Sequence, residues 1–133
     1  MKLDSYFLCD FAQQRSNLLT AVSAGITRVV VGIPASLYVA GFFRVEDGEQ
    51  EIVHEFAITL LDQEAKVIAK AVMAMQVASA PDRRPGEPLL IPFAFRLPEF
   101  VAQRDARYDV RIGLDDTSAD LWFYGVAAPI QSR

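Results

Sequence analysis

The segment VHEFAITLLDQEAKVIA, residues 53–69, decides the fold class of this chain. Beginning one residue earlier, IVHEFAITLL alternates its side chains with the two-residue period of a β-strand. The polar LDQEAKV at 61–67 is typical of a type I turn of four or five residues between two strands. The stretch therefore predicts a β-hairpin whose two long arms cover about residues 51–61 and 66–78.

The same period continues on both sides of this hairpin, most clearly in RYDVRIGLD at 107–115. Strand-forming Val, Ile, Phe and Tyr fill the alternating positions. The side chains predicted to face the core are Leu37, Val39, Phe43, Val45, Leu89, Ile91, Phe93, Phe95, Leu97, Tyr108, Val110, Ile112 and Leu114. Together with turn signals, the pattern predicts strands at about 3–11, 17–23, 26–32, 36–45, 51–61, 66–78, 88–97, 106–115 and 119–127.

Many strands separated by turns predict an all-β fold made of one domain, residues 1–133. We expect a single antiparallel β-sandwich of about eight or nine strands, immunoglobulin-like or related to that fold. Only PEFVAQRD at 98–105 is compatible with a helical turn. The segment SAPDRRPGEP at 79–88 is predicted to be a polar connection between strands and not a domain boundary.

Composition limits the possible functions. Hydrophobic residues make up 52% of the 133 residues and charged residues 23%, which predicts a packed core. The net charge of −4 argues against nucleic acid and anionic membranes as partners. The single cysteine, Cys9, suits a reducing compartment, and the N-terminal segment lacks the apolar core of a signal peptide. We therefore expect a cytoplasmic protein.

The one histidine, His54, stands beside Glu55 and raises the question of a metal or acid–base site. A helical zinc motif requires a second histidine four residues later, where this chain has Ile58. Zinc sites need three or four nitrogen or sulfur ligands, and His54 and Cys9 supply only two. Strand alternation also turns His54 and Glu55 to opposite faces. We expect a partly exposed structural histidine, no cofactor and no enzymatic activity.

Acidic turns leave calcium, or a small ligand, as an alternative function. Asp47, Glu49 and Glu51 share one turn, Asp62 and Glu64 a second, and Asp115, Asp116 and Asp120 a third. The first two turns lie at opposite ends of the strand between them, so only one of them can approach the third. Solvated turn residues, among which Asp is favoured for its local hydrogen bonds, explain the same pattern.

An apolar second face distinguishes three consecutive predicted strands, 36–45, 51–61 and 66–78. A solvated antiparallel sheet shows polar residues on such a face. A contiguous apolar patch marks a binding site or an oligomer interface, so we predict a homo-oligomer or a protein partner there. The alternative is that segment 98–105 or the N-terminal strands cover this face. The predicted partner-binding residues are Tyr38, Phe42, Val53, Leu61, Ile68 and Val72.

Three segments resemble a known family: CDFAQQRSNLLTAVSAGITRV, HEFAITLLDQEAKVI, and FAFRLPEFVAQRDARYDVRIGLDD followed by LWFYGV. The family comprises small bacterial single-domain β-sandwich proteins and is catalogued only as a domain of unknown function. This resemblance implies the sandwich but no catalytic residue, cofactor or established partner.

The chain departs from the family pattern at two turns. Ala65 stands where the family usually has glycine, and RDAR replaces Pro-Gly before Tyr108. A type I hairpin turn places a residue at positive φ at its end, so we expect Ala65 to adopt a left-handed conformation.

Overall fold

The computed structural model describes residues 1–79, 81–103 and 105–128. Within these residues the fold is all-β, without a helix and so without any helix long and apolar enough to cross a membrane. The strands in this part of the chain are β1 (Lys2–Cys9), β2 (Phe11–Arg15), β3 (Leu18–Val22), β4 (Arg28–Val30), β5 (Pro34–Ala35), β6 (Tyr38–Val45), β7 (Val53–Leu61), β8 (Val67–Gln76), β9 (Leu89–Arg96), β10 (Phe100–Val101), β11 (Arg107–Leu114) and β12 (Thr117–Val126).

Two larger sheets enclose the main core. One has the order β1-β6-β9 and the other β4-β12-β11-β7-β8. Phenylalanine rings join the two sheets, since Phe56 of β7 lies 5.2 Å from Phe43 of β6 and 5.6 Å from Phe93 of β9, centroid to centroid. Such ring pairs add to the stabilisation from burial alone.

The alternation in RYDVRIGLD is confirmed, because Tyr108, Val110, Ile112 and Leu114 are all buried in this core. Their polar neighbours along β11 face the other way, where Arg111 pairs with Asp120 of β12 at 3.2 Å. A strand with one face on the core and one face in solvent produces this alternation of buried and exposed side chains. The all-β class is likewise confirmed.

Other details of the predicted fold are wrong. The described residues form twelve strands in four sheets, more than the eight or nine strands predicted. The arrangement is not wholly antiparallel, since β4 pairs with β12 in parallel. Segment 98–105 contains the short strand β10, paired with β5, and not a helical turn; Arg104 lies outside the described residues.

The N-terminal hairpin β2–β3 adds a further layer. It lies against the outer face of the β1-β6-β9 sheet and forms a second, smaller core around Cys9, Ala12 and Ala40. Predicted strand 3–11 therefore breaks at Asp10, whose backbone N–H bonds to the carbonyl of Val22 in the hairpin. Alternation within β1 and β2 identifies each as a strand but does not reveal this break.

The β7–β8 turn confirms the expectation for Ala65, which has φ of 60°. Oδ1 of Asp62 accepts hydrogen bonds from the backbone N–H groups of Glu64 and Lys66, both at 2.9 Å. The N–H of Ala65 donates to the carbonyl of Asp62 at 3.0 Å. The aspartate thus fixes the turn with its side chain and backbone together.

Candidate functional site

The six predicted partner-binding residues do not lie on one face. Tyr38 and Phe42 belong to β6 in the three-stranded sheet, whereas Val53, Leu61, Ile68 and Val72 belong to β7 and β8 in the five-stranded sheet. The chain crosses from one sheet to the other between β6 and β7. The expectation of a single contiguous patch on three neighbouring strands is therefore wrong.

Tyr38 is partly covered by another segment of the chain. Its ring packs edge-on against Phe11 of the N-terminal hairpin, with centroids 5.5 Å apart. The N-terminal hairpin thus covers part of Tyr38, which remains half-buried. Phe42 on the same strand is half-buried, between Ser5 of β1 and Pro92 of β9.

The other four residues divide into one that is buried and three that are exposed. Leu61 retains only 6% of its accessible surface. Val53, Ile68 and Val72 retain 64%, 43% and 56%. Val72 stands opposite Ala57 of β7, and Ile68 is the extra residue where the register of β7 and β8 shifts. An exposed apolar strip remains on the β7–β8 side of the sheet.

Strand β8, with sequence VIAKAVMAMQ, is the edge of the five-stranded sheet. Within the described residues it pairs with β7 on one side and with no strand on the other. It is ten residues long, and Lys70 carries its one charge. Edge strands usually carry charges, prolines or bulges that prevent pairing with another chain. In β8 those features are limited to Lys70 and the register shift next to Ile68.

The inner face of β8 meets the main core only in part. Ala69, Met73 and Met75 are half-buried there, and Ala71 between them is exposed. Both faces of the strand therefore present apolar surface near the free edge. Methionine is a common residue of surfaces that accept another protein, because its thioether chain adapts to different shapes.

Hydrogen bonds hold both ends of β8 in place. The Asp62 turn fixes its start, as described above. At the other end, the side chain of Gln76 donates to the carbonyl of Glu51 at 2.7 Å, and Oε1 of Glu51 accepts the N–H of Ser79 at 2.9 Å. Glu51 makes these contacts from a left-handed backbone conformation, with φ of 64°. The edge is thus a pre-ordered strand.

His54 is buried, with 5% of its surface accessible, so the expectation of a partly exposed histidine is wrong. Its Nδ1 lies 2.7 Å from Oδ2 of Asp115, and its Nε2 lies 3.2 Å from the carbonyl oxygen of Glu49. Both partners are acceptors, and both ring nitrogens are engaged within the fold. As predicted, Glu55 points away, and it is exposed on the opposite face.

Asp115 directly follows β11 and has a left-handed backbone conformation, with φ of 51°. The hydrogen bond from His54 lowers the pKa of the Asp115 carboxyl below its ordinary value, and burial opposes this shift to a smaller extent. The backbone N–H of Glu55 adds a second bond, to Oδ1 at 3.1 Å. The pair therefore ties the loop before β7 to the β11–β12 turn, which is a structural role.

As the strand geometry requires, only one of the other two acidic turns approaches the turn that contains Asp115. The turn at 46–51 approaches Asp115 through His54, whereas the turn at 62–65 lies at the other end of β7. Across residues 1–79, 81–103 and 105–128, no group of three or more His, Cys, Asp or Glu residues is arranged to hold a metal ion.

A cavity of about 350 Å³ lies at the Asp62 end of the five-stranded sheet. Its lining combines polar and apolar side chains: Asp62, Lys66, Val67, Ile68, Val101, Gln103 and Tyr108. The hydroxyl of Tyr108 accepts the backbone N–H of Gln103 at 3.2 Å. This volume is at the small end of ordinary ligand pockets.

Comparison with known proteins gives a family but no activity. The family model described as "Family of unknown function (DUF6941)" matches residues 4–122. No curated protein and no solved structure matches the chain. The match covers most of the sequence, from β1 to within β12, and so includes both main sheets and the free edge. The chain belongs to this family of unknown function, DUF6941.

Proposed function

We propose that this protein is a non-catalytic binding or scaffolding module that acts by protein–protein association through the β8 side of its five-stranded sheet. We also propose that the protein is a single immunoglobulin-like sandwich domain, and the core shared by the two main sheets supports this. We further propose a cytoplasmic location, which the single, buried thiol of Cys9 supports.

The free edge of β8 is the observation that carries the proposal. Its backbone offers unpaired N–H and C=O groups at alternate residues, and Val67, Ile68 and Val72 are exposed beside them. Addition of a strand to such an edge is a recurrent mode of protein recognition, in which main-chain hydrogen bonds provide affinity. The exposed Val53 at the start of β7 extends the apolar surface next to this edge.

Sedimentation tests the proposal. Fluorescently labelled wild-type protein is expected to sediment above 14.8 kDa, either purified at micromolar concentration or in cell extract. Val72→Asp is expected to return it to the monomer, because a charged side chain beside a sheet edge disfavours the addition of another strand. If the wild-type protein sediments at 14.8 kDa in both settings, the proposed association is wrong.

The cavity beside Asp62 favours a second candidate function, the binding of a small ligand. It joins the apolar side chains of Ile68 and Val101 to the polar groups of Lys66 and Gln103. A ligand that binds only the folded state raises the melting temperature. A thermal-shift screen on the wild type and on Val101→Trp, which fills the cavity, tests this candidate: a genuine ligand shifts only the wild type.

A further inference from the structure

We propose that the occupant of the free edge is a second copy of this chain, paired antiparallel through β8 about a two-fold axis at Val72. This inference rests on the proposed function, since it names the partner and the register of the association. A two-fold axis perpendicular to the sheet brings the same strand of both copies together and continues the five-stranded sheet across the interface.

The inner face of β8 is complementary to itself in this register. Pairing about Val72 sets Met73 opposite Ala71 of the second copy, and Met75 opposite Ala69. Each half-buried methionine therefore meets a small residue, and the four pairs generated by symmetry fill alternating large and small positions. Shifting the centre to Met73 sets the two copies of Met73 against each other and shortens the overlap.

The outer face accommodates the one charge of the strand. In the register centred on Val72, Lys70 stands opposite Ala74 of the second copy, and the two lysines lie four residues apart along the strands. That spacing is about 13 Å, beyond the screening length of about 8 Å at physiological salt. Only a register centred on residue 70 would oppose the two lysines directly.

The available surface is large enough for a specific but not an obligate dimer. An overlap of nine residues, Ile68 to Gln76, is about 30 Å long. With a depth of about 20 Å, for two layers about 10 Å apart and their side chains, each copy contributes about 600 Å², or about 1,200 Å² in total. This total is near the lower limit for specific interfaces, so we expect a dimer that dissociates in the micromolar range.

Cysteine cross-linking tests the register. Residues directly opposite in antiparallel strands have Cα atoms about 4.5–5.5 Å apart, within the range of a disulfide. Val72→Cys is therefore expected to give a covalent dimer, of twice 14.8 kDa, under mild oxidation. Ala74→Cys is the matched control, because its two copies would be about 13 Å apart and cannot bridge. The wild type controls for Cys9, which is buried and whose thiol pKa is raised by that burial.

A second pair of variants tests the edge without new covalent chemistry. Val72→Lys opposes two lysines at the axis and is expected to raise the dimer dissociation constant at least tenfold. Leu18→Lys, at a residue 74% exposed on the β2–β3 hairpin, is expected to leave it unchanged. Both sites are exposed, and equal melting temperatures for the monomeric forms establish that the variants fold.

The outcomes separate this inference from the proposed function. A wild type that remains at 14.8 kDa when purified overturns the second copy as the occupant, while association in cell extract would still support the proposed function. A wild-type dimer in which Ala74→Cys cross-links as readily as Val72→Cys, or in which Val72→Lys has no effect, overturns the β8 register but leaves self-association in place.

Discussion

The imidazole of His54 and the carboxylate of Asp115 are joined by a contact of 2.7 Å between Nδ1 and Oδ2, across 61 positions of sequence. Because the same carboxylate also accepts the N–H of Glu55, it links the β11–β12 turn to the start of β7. His54 continues the connection to the carbonyl of Glu49. The one histidine of the sequence, which suggests a catalytic group, thus connects two loops.

Asp115→Asn should lower stability and change its dependence on pH. Asparagine tolerates positive φ, so the backbone conformation is kept while the charge is lost. The pKa of Asp115 is depressed in the folded state, so its contribution is present above the unfolded value near 3.9 and is lost as pH falls through the lower folded value. Thermal unfolding between pH 6 and 3 should therefore show a smaller loss of stability toward acid in the variant than in the wild type. Parallel curves for the two proteins would contradict this role.

His54→Gln should destabilise the fold by about 1–3 kcal/mol, because a buried side chain loses its two hydrogen bonds and Asp115 loses its partner. The melting temperature should fall by at least about 4 °C for a domain of this size. Glu55→Gln is the control, since this neighbour is exposed on the opposite face of the strand and should change the melting temperature little. Equal effects of the two substitutions would show that the His54 contacts contribute nothing specific.

The alternation of side chains along β7 predicts the burial of His54 better than its polar residue type does. His54 lies two, four and six residues before Phe56, Ile58 and Leu60, so alternation places its side chain on the core face. A polar side chain, by contrast, is usually expected to be exposed. Asp115, its partner, is too distant in sequence for any local pattern to reveal. Local geometry was easier to predict: the Asp62 turn requires a residue at positive φ, and Ala65 occupies that position with φ of 60°.

The candidate surface shows the same division between local and long-range information. Alternation assigns each side chain to one of two faces of its strand, but it does not state which sheet the strand joins. Tyr38 and Val72 are therefore indistinguishable by pattern, although the first lies under a hairpin and the second beside a free edge. One feature of the sequence does indicate this edge: VIAKAVMAMQ has a single charged residue on its two faces, which is unusual for a solvated strand.

Ala65→Gly should stabilise the protein slightly. Cβ in the left-handed region costs about 1 kcal/mol, and glycine removes that strain but adds entropy to the unfolded chain. The net gain should be below about 1 kcal/mol, which corresponds to a rise in melting temperature of a few degrees. Gln63→Gly, in the same turn and without positive φ, should lower it instead. A clear loss of stability in Ala65→Gly would contradict the strain.

Calcium and chelator should leave the melting temperature within about 1 °C of its starting value. The turn carboxylates that calcium would need already bind groups of the protein: Asp115 binds His54, Asp62 binds the N–H groups of its own turn, and Glu51 binds Ser79. An ion that binds only the folded state at a hundred times its dissociation constant adds about 2.7 kcal/mol, which is easily measured. A rise of several degrees in millimolar calcium, reversed by chelator, would establish an ion site.

Gly41→Ala should be strongly destabilising, although it adds only one methyl group. Gly41 lies in the middle of β6, opposite Tyr6 of the antiparallel strand β1 and close to the register shift between Leu3 and Ser5. A Cβ added at Gly41 would lie 2.7 Å from the carbonyl carbon of Ser5 and 2.8 Å from Cα of Tyr6, both of them backbone atoms that cannot rotate away.

The expected loss is about 3 kcal/mol or more, because overpacking of a core against rigid backbone is among the largest effects of single substitutions. Gly113→Ala is the matched control in the other sheet, where the nearest atoms to the new Cβ are 3.9 Å away, on Ala57. It should be neutral or stabilising by up to about 1 kcal/mol, since alanine restricts the unfolded chain. Chemical denaturation of the two variants measures the difference. If Gly41→Ala unfolds at the same denaturant concentration as Gly113→Ala, then β1 does not approach β6 as closely as its bulged register requires.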